Sequence, residues 1–190
     1  MARIRTFIAV DTSPAVRRRA ADLQNKLRES NVDANWTDPE SMHVTLQFLG
    51  DVDDPLIPEV CQRVAAAAAP FAPFLVEFSK AGAFPSLDRP RTVWFGVDQG
   101  NQELVDLQLA IQESLFEMRF PRERRTYRPH LTLARVRKVG GGQKRLAELI
   151  SHYRDFKAES CDVPEVLIIA SNLDRSGPTY QVMGRAPLEG

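Results

Sequence analysis

The sequence predicts an α+β fold made of two pseudo-symmetric lobes, each with an antiparallel sheet and helices, and a cleft between them. Three observations carry this expectation. Short alternating apolar–polar segments interleave with longer segments of helical period. The tetrapeptide His43-Val44-Thr45-Leu46 is echoed by His130-Leu131-Thr132-Leu133, 87 residues on in a chain of 190. Each copy is followed by a loop and a helical pattern. Residues 1–190 are therefore expected to form one domain of two intertwined lobes, one His-x-Thr motif in each. Outside the motif, no sequence identity is strong enough to prove a duplication.

The elements follow in order. Arg3–Val10 reads as a strand, its apolar part being too short for a secretory signal. Ser13 caps a helix that Pro14 opens and that runs to about Ser30, with Val16, Ala20, Leu23 and Leu27 on its buried face. Met42–Leu49 alternates and stops at Gly50-Asp51, so it is a strand. Ile57–Ala69, begun near Pro55 and Pro58 and rich in alanine, is a second helix. Phe74–Phe78 is a strand. Ala81–Pro85 and Thr92–Val97 form the arms of a hairpin around Leu87-Asp88-Arg89-Pro90. Asn101–Arg119 is the third helix, with Leu104, Leu107, Leu115 and Phe116 among its apolar positions. Pro129 precedes a strand from His130 to Val136, and Gly140-Gly141-Gly142 is a flexible turn. Lys144–Phe156 is a fourth helix. Val163–Ala170 and Thr179–Met183 close the chain as strands joined through Ser176-Gly177-Pro178. The count is four helices and roughly eight strands.

Composition narrows the class. An apolar share of 43% and a charged share of 26% are those of a soluble globular protein. No apolar run nears the roughly 20 residues of a membrane span. Cys61 and Cys161 stand in unrelated contexts, which argues against a disulfide framework or a cysteine-rich zinc site and makes a reducing cytoplasm the expected setting. A monomer without a membrane partner is expected. Net charge is zero but unevenly spread: residues 119–145 hold ten Lys/Arg (Arg124 among them) against Glu123 alone, a balance of +9. Taken alone, such a block reads equally well as a solvated arginine-rich loop. Its position around the second His-x-Thr motif favours a local anion site.

In a strand, residues i and i+2 share a face. Each motif thus presents an imidazole and a hydroxyl together, with Val44/Leu46 or Leu131/Leu133 turned away. Two imidazoles, one neutral and one protonated near neutral pH, supply a base to activate water and an acid to protonate a departing oxygen. Thr45 and Thr132 can donate to non-bridging phosphoryl oxygens, and a nearby arginine would stabilise the crowded phosphorane-like state. Only three histidines and eight threonines are present, so two His-x-Thr pairs are a far more specific signal than one. A metal site at His43 and His130 lacks further ligands at recognised spacing, even with Asp51 or Asp53 considered, so none is expected. His152, in Ser151-His152-Tyr153-Arg154, reads as a surface residue. Ser13, Ser41 and Ser86 have no nucleophile-elbow context.

With these motifs the chain resembles the 2H phosphoesterases, and within them the RNA 2′,3′-cyclic phosphodiesterases, historically called 2′-5′ RNA ligases. The resemblance runs through Arg5–Val10, through Trp36 to Gly50, through Phe84-Pro85 and Arg89–Trp94, through Tyr127–Arg135, and through Gly177–Tyr180. It implies a bilobal α+β fold and hydrolysis of a terminal 2′,3′-cyclic phosphate on RNA to a 2′-phosphate, with no cofactor. By motif position it implies His43 as proton donor to the leaving 3′ oxygen and His130 as proton acceptor. Thr45 and Thr132 would hold phosphoryl oxygens, and Arg135 matches a family position that contacts the phosphate. Alternation places Arg135 on the Leu131/Leu133 face, away from the imidazole, unless the strand twists, bulges or ends there. Arg128 has the right parity and is the substitute. Phe84 is a candidate for contact with a base; Phe48, which shares parity with Val44 and Leu46, is expected in the core.

The expected substrate is an RNA cyclic phosphate end, with 2′-5′ ligation as a minor reverse activity. The alternatives are a small cyclic nucleotide, such as an ADP-ribose cyclic phosphate, a 2′-5′ oligonucleotide, or a non-catalytic RNA- or nucleotide-binding module. No nucleotidyl-transferase lysine motif is present, which argues against ATP-driven ligation. The +9 segment around His130 is expected to favour its neutral form, as suits a base.

Overall fold

Ser13 and Pro14 start the first helix for the reasons their chemistry supplies. The Ser13 hydroxyl accepts from the Val16 amide at 3.2 Å, and Pro14 takes the first helical position, where no amide proton is needed. Helix α1 (Pro14–Arg28) then buries Val16, Ala20, Leu23, Gln24 and Leu27 along one stripe. Helices α2 (Ile57–Ala68), α3 (Asn101–Phe116) and α4 (Gln143–His152) bury equivalent stripes, such as Leu104, Leu107, Ile111 and Leu115 of α3. The structure is a computed structural model and describes residues 2–123, 125–138, 140–174 and 177–190. Arg124 and Ser176, named above, lie outside the described residues.

The strands are β1 (Arg3–Val10), β2 (Ala34–Trp36), β3 (Val44–Asp53), β4 (Phe74–Phe84), β5 (Thr92–Val97), β6 (His130–Val136), β7 (Lys157–Val163), β8 (Glu165–Asp174) and β9 (Gly177–Pro187). They form one antiparallel sheet in the order β7-β4-β5-β6-β3-β1-β8-β9, with β2 also paired to β6. The order is symmetric about the β6/β3 seam, so the sheets of the two lobes join edge to edge. β4 and β8 each pair with the other half's first strand, β5 and β1 respectively, which interlocks the halves.

Alternation sorts the two faces. Ile8 and Val10 of β1 enter the large core under the helices, whereas Phe7 and Ala9 join Leu167 and Ile169 in a smaller cluster on the opposite face. At the seam, Val44 opposes Leu131, and both are fully buried in the large core. Burial of each such side chain contributes about 1.5–3 kcal/mol, so the seam is held chiefly by packing.

The α+β class and the two-fold arrangement are those expected, but three elements differ. The segments 74–78 and 81–85 are one strand, β4: Lys80, at φ 68°, is the extra residue of a bulge between Ser79 and Ala81, and this breaks the alternation that suggested two strands. The fourth helix ends at His152 instead of Phe156, and Lys157–Val163 forms β7, an edge strand paired with β4 whose polar outer positions hide its period. β2 is three residues long, too short to leave a periodic signal.

Candidate active site

The Val44–Leu131 pair decides how the two motifs meet. Antiparallel register about that pair sets His43 against Thr132 and Thr45 against His130. With Val44 and Leu131 turned into the core, the two imidazoles and two hydroxyls share the other face. The histidines are then diagonal neighbours, for which Cα atoms lie about 7–8 Å apart.

Each imidazole is tied down in the same way. His43 Nδ1 lies 2.8 Å from the Ser41 carbonyl oxygen, and His130 Nδ1 lies 2.6 Å from that of Arg128. A carbonyl only accepts, so Nδ1 carries the proton and Nε2 is the exchanging nitrogen in both residues. His43 stacks on Phe7 with ring centroids 4.7 Å apart and meets the edge of Tyr180 at 5.3 Å. His130 meets Phe84 edge-to-face at 5.1 Å.

Burial lowers the pKa of both histidines below the ordinary 6.5, while the backbone carbonyls at Nδ1 push back up. The Arg135 guanidinium lowers both further. For His130 the main cause is thus burial, with Arg135 as the contributing charge, rather than the basic segment as a whole. His43 alone has a carboxylate in range: Asp11 favours its imidazolium, partly offset by Arg17. The two halves differ electrostatically at this point.

Arg135 reaches this face because β6 is bulged. Val93 pairs with Ala134 but Trp94 pairs with Thr132, so Leu133 is the extra residue. Leu133 and Ala134 are consecutively buried, and Arg135 is exposed on the motif side. The bulge is anchored from below by Gln24, which is 2% exposed: its Nε2 donates to the Leu133 carbonyl at 2.7 Å and to the Thr37 carbonyl at 2.8 Å. The Thr37 amide also donates to the Leu133 carbonyl, at 2.9 Å.

The first motif repeats this device. Ile8 pairs with Gln47 but Ala9 pairs with Thr45, so Leu46 is the extra residue. In both motifs the leucine three residues after histidine is the bulge, and the residue five after histidine turns to the motif face. In the second half that residue is Arg135; in the first it is Phe48. Phe48 is accordingly 63% exposed rather than in the core, and its ring lies 5.9 Å from Phe7. The expectation from parity fails there because the bulge inverts the parity. The Tyr127 hydroxyl donates to the Thr45 carbonyl at 3.0 Å and braces this strand from the other half.

A groove of about 1110 Å³ gathers His43, Thr45, Thr132, Arg135, Phe48 and Tyr180. His130 borders a smaller cavity of about 230 Å³ with Phe84, Trp94, Tyr127 and Arg128. Phe84 is the wall against His130, and the part of Arg128 that the site uses is its carbonyl oxygen. Among the described residues, no three His, Cys, Asp or Glu side chains gather as a metal site, and no helix is long and apolar enough to cross a membrane. Gln24 and Asn35 were not singled out in the sequence, Arg5 and Phe7 entered only with the first strand, and Arg137 only with the basic segment; their place at the site depends on contacts between distant segments.

Comparison with known proteins places the chain among relatives. The family model of LigT-like phosphoesterases matches twice, over residues 10–94 and 95–180, each match holding one His-x-Thr motif. The RNA 2′,3′-cyclic phosphodiesterase of Aeropyrum pernix is 33% identical over 87% of this chain and 92% of its own. That of Methanothermobacter thermautotrophicus is 33% identical over 95% of this chain and 97% of its own. A Thermus thermophilus structure superposes with a TM-score of 0.81 at 23% identity, covering 98% of this chain and 99% of that one. Escherichia coli LigT complexed with 3′-AMP does so with a TM-score of 0.76 at 22% identity, covering 99% of each chain. The last two likenesses concern the fold. The double match and the full-length relatives go further, and the chain belongs to the family of LigT-like phosphoesterases.

Proposed function

We propose that this protein hydrolyses the 2′,3′-cyclic phosphate at an RNA end to a 2′-phosphomonoester, with two imidazoles as acid and base and no metal. The observation that carries the reading is the seam: one register pair sets two histidines and two threonines on one face, and each histidine spends Nδ1 on a backbone carbonyl, which makes Nε2 the exchanging nitrogen. The relatives named RNA 2′,3′-cyclic phosphodiesterase support the substrate.

In this mechanism the His130 Nε2 takes a proton from water as the water oxygen bonds to phosphorus. The bond from phosphorus to the 3′ oxygen breaks, and His43 Nε2 gives its proton to that oxygen. The product carries a 2′-phosphate and a 3′-hydroxyl. His43 is left neutral and His130 protonated, and exchange with solvent resets both. Thr45 and Thr132, flanking the seam diagonally, hold the non-bridging oxygens. Arg135 opposes the charge that gathers on them, the kind of aimed electrostatic contact worth several kcal/mol in transition states, about 2.7–4 for one donor. Of the two histidines it is His43 that Asp11 acts on, which favours the protonated form on the donor side. The whole chain acts as one domain, both lobes contributing to one site.

The test is an oligonucleotide ending in a 2′,3′-cyclic phosphate, incubated with the protein and EDTA. The expected product is a 2′-phosphate. A 3′-phosphate would reverse the donor and acceptor geometry, and no turnover would end the proposal.

A further inference from the structure

We propose that the groove contains a second nucleotide subsite, which takes the 5′-flanking phosphodiester and nucleoside of a single-stranded RNA end. This rests on the catalytic reading above and specifies its substrate as a strand rather than a mononucleotide.

Pockets that enclose one drug-sized molecule span roughly 300–1,000 Å³. The groove, at about 1110 Å³, is larger than one terminal nucleotide needs. From the seam the groove continues past Arg135 to Arg137, Asn35, Trp36 and Arg28. The wall there is β2, whose Asn35 pairs with Arg135 and whose Ala34 pairs with Val136. Among the described residues β3 gains no equivalent extra strand, pairing only with β1 and β6. The groove also runs the other way, along Arg5, Phe48, Ser171 and Tyr180, but only the Arg135 side is walled by an added strand, and this breaks the two-fold.

This end carries the guanidiniums of Arg28, Arg135 and Arg137, with Asp38 as the acidic side chain of the lining. The Asp38 carboxylate is engaged in accepting from the Glu40 amide at 3.0 Å. Arg137 donates to the Asn35 side-chain oxygen, which sets its fork. The Arg28 guanidinium carbon lies 4.7 Å from the Trp36 ring centroid, a cation–π contact that restrains the group beside the groove, where it can meet phosphate oxygens or a base. Paired arginines with a held planar group suit single-stranded RNA, whose bases stack on guanidinium planes and whose backbone supplies an anion per residue.

The experiment compares a mononucleoside 2′,3′-cyclic phosphate with a trinucleotide ending in the same nucleoside. The wild type is expected to favour the trinucleotide about tenfold in kcat/KM, the scale of one stacking or phosphate contact. Arg28→Ala and Arg137→Ala are each expected to cut that ratio several-fold. In parallel, anisotropy of a 5′-labelled trinucleotide bearing a 2′-phosphate reads binding without turnover. Its salt slope is expected to fall by about 0.7 per arginine removed. Equal kcat/KM for the two substrates, or ratios and salt slopes unchanged in both variants, overturns the subsite. If neither substrate is turned over, the catalytic reading fails, and the binding arm alone decides the subsite.

Discussion

Gln24→Leu is a perturbation far from the chemistry that should nevertheless reach it. Gln24 is buried in α1 and its amide donates to the Leu133 and Thr37 carbonyls. Leucine fills a similar volume but donates nothing. The Leu133 carbonyl keeps the Thr37 amide, while the Thr37 carbonyl loses its amide donor. A buried polar group left unpaired costs about 1–3 kcal/mol. For a domain of this length that is a fall in Tm of roughly 2–12 °C. The informative readout is catalytic. The bulge at Leu133 is what turns Arg135 to the motif face, and Arg135 lowers both histidine pKa values. Loosening the bulge should lower kcat/KM on an RNA cyclic phosphate and move the acid limb of its pH profile upward. In an Arg135→Ala background the same change should cost little further activity, a non-additivity that marks coupled residues. Gln24→Glu, which retains one carboxyl that can donate when protonated, should recover part of the loss at low pH only. Full additivity of Gln24→Leu and Arg135→Ala, with an unmoved pH profile, would refute the link between bulge and arginine.

Other outcomes follow from the same geometry. Phe48→Ala should change stability by within about 0.5 kcal/mol, against about 2–5 kcal/mol for Leu46→Ala, measured by urea unfolding; a large loss at Phe48 would return it to the core. Ser13→Ala should cost about 0.5–2 kcal/mol through the lost helix cap, read from the same unfolding curves. Both histidines have folded pKa values below 6.5, so the stability they contribute is present above pH 6.5 and is lost as pH falls through the folded values. The Tm of the wild type should therefore fall more steeply on acidification than that of a His43→Gln/His130→Gln variant, and parallel curves would contradict the burial argument. Sulfate, whose charge is constant across the range, should bind more tightly as pH falls, because an anion at the seam favours both imidazoliums; calorimetry across that range checks the sign.

Much of the site was legible because β-strand alternation is a short-range rule. His43 with Thr45, and His130 with Thr132, could be placed on one face from four residues each. That the two faces coincide was not legible, since it depends on the single Val44–Leu131 pair across the chain. Arg135 and Phe48 mark the limit more sharply. Parity from the motif histidine pointed both inward, and both lie outward, because one extra residue in each strand inverts the alternation. A bulge is set by hydrogen bonds to other elements, here Gln24 and the Thr37 amide, and a local pattern carries little trace of them. β7 was hidden for a related reason: an edge strand with polar outer positions has no apolar period of its own.

The pH dependence of kcat/KM on an RNA 2′,3′-cyclic phosphate tests the paired imidazoles most directly, because it reports the free enzyme's acid and base. With both pKa values lowered by burial, the profile should be a bell whose maximum lies below pH 6.5. His130→Ala should remove the acid limb and His43→Ala the alkaline limb, each with a loss of about 10²–10⁴ in rate. A flat profile between about pH 5 and pH 9, or full activity in either variant, would contradict it.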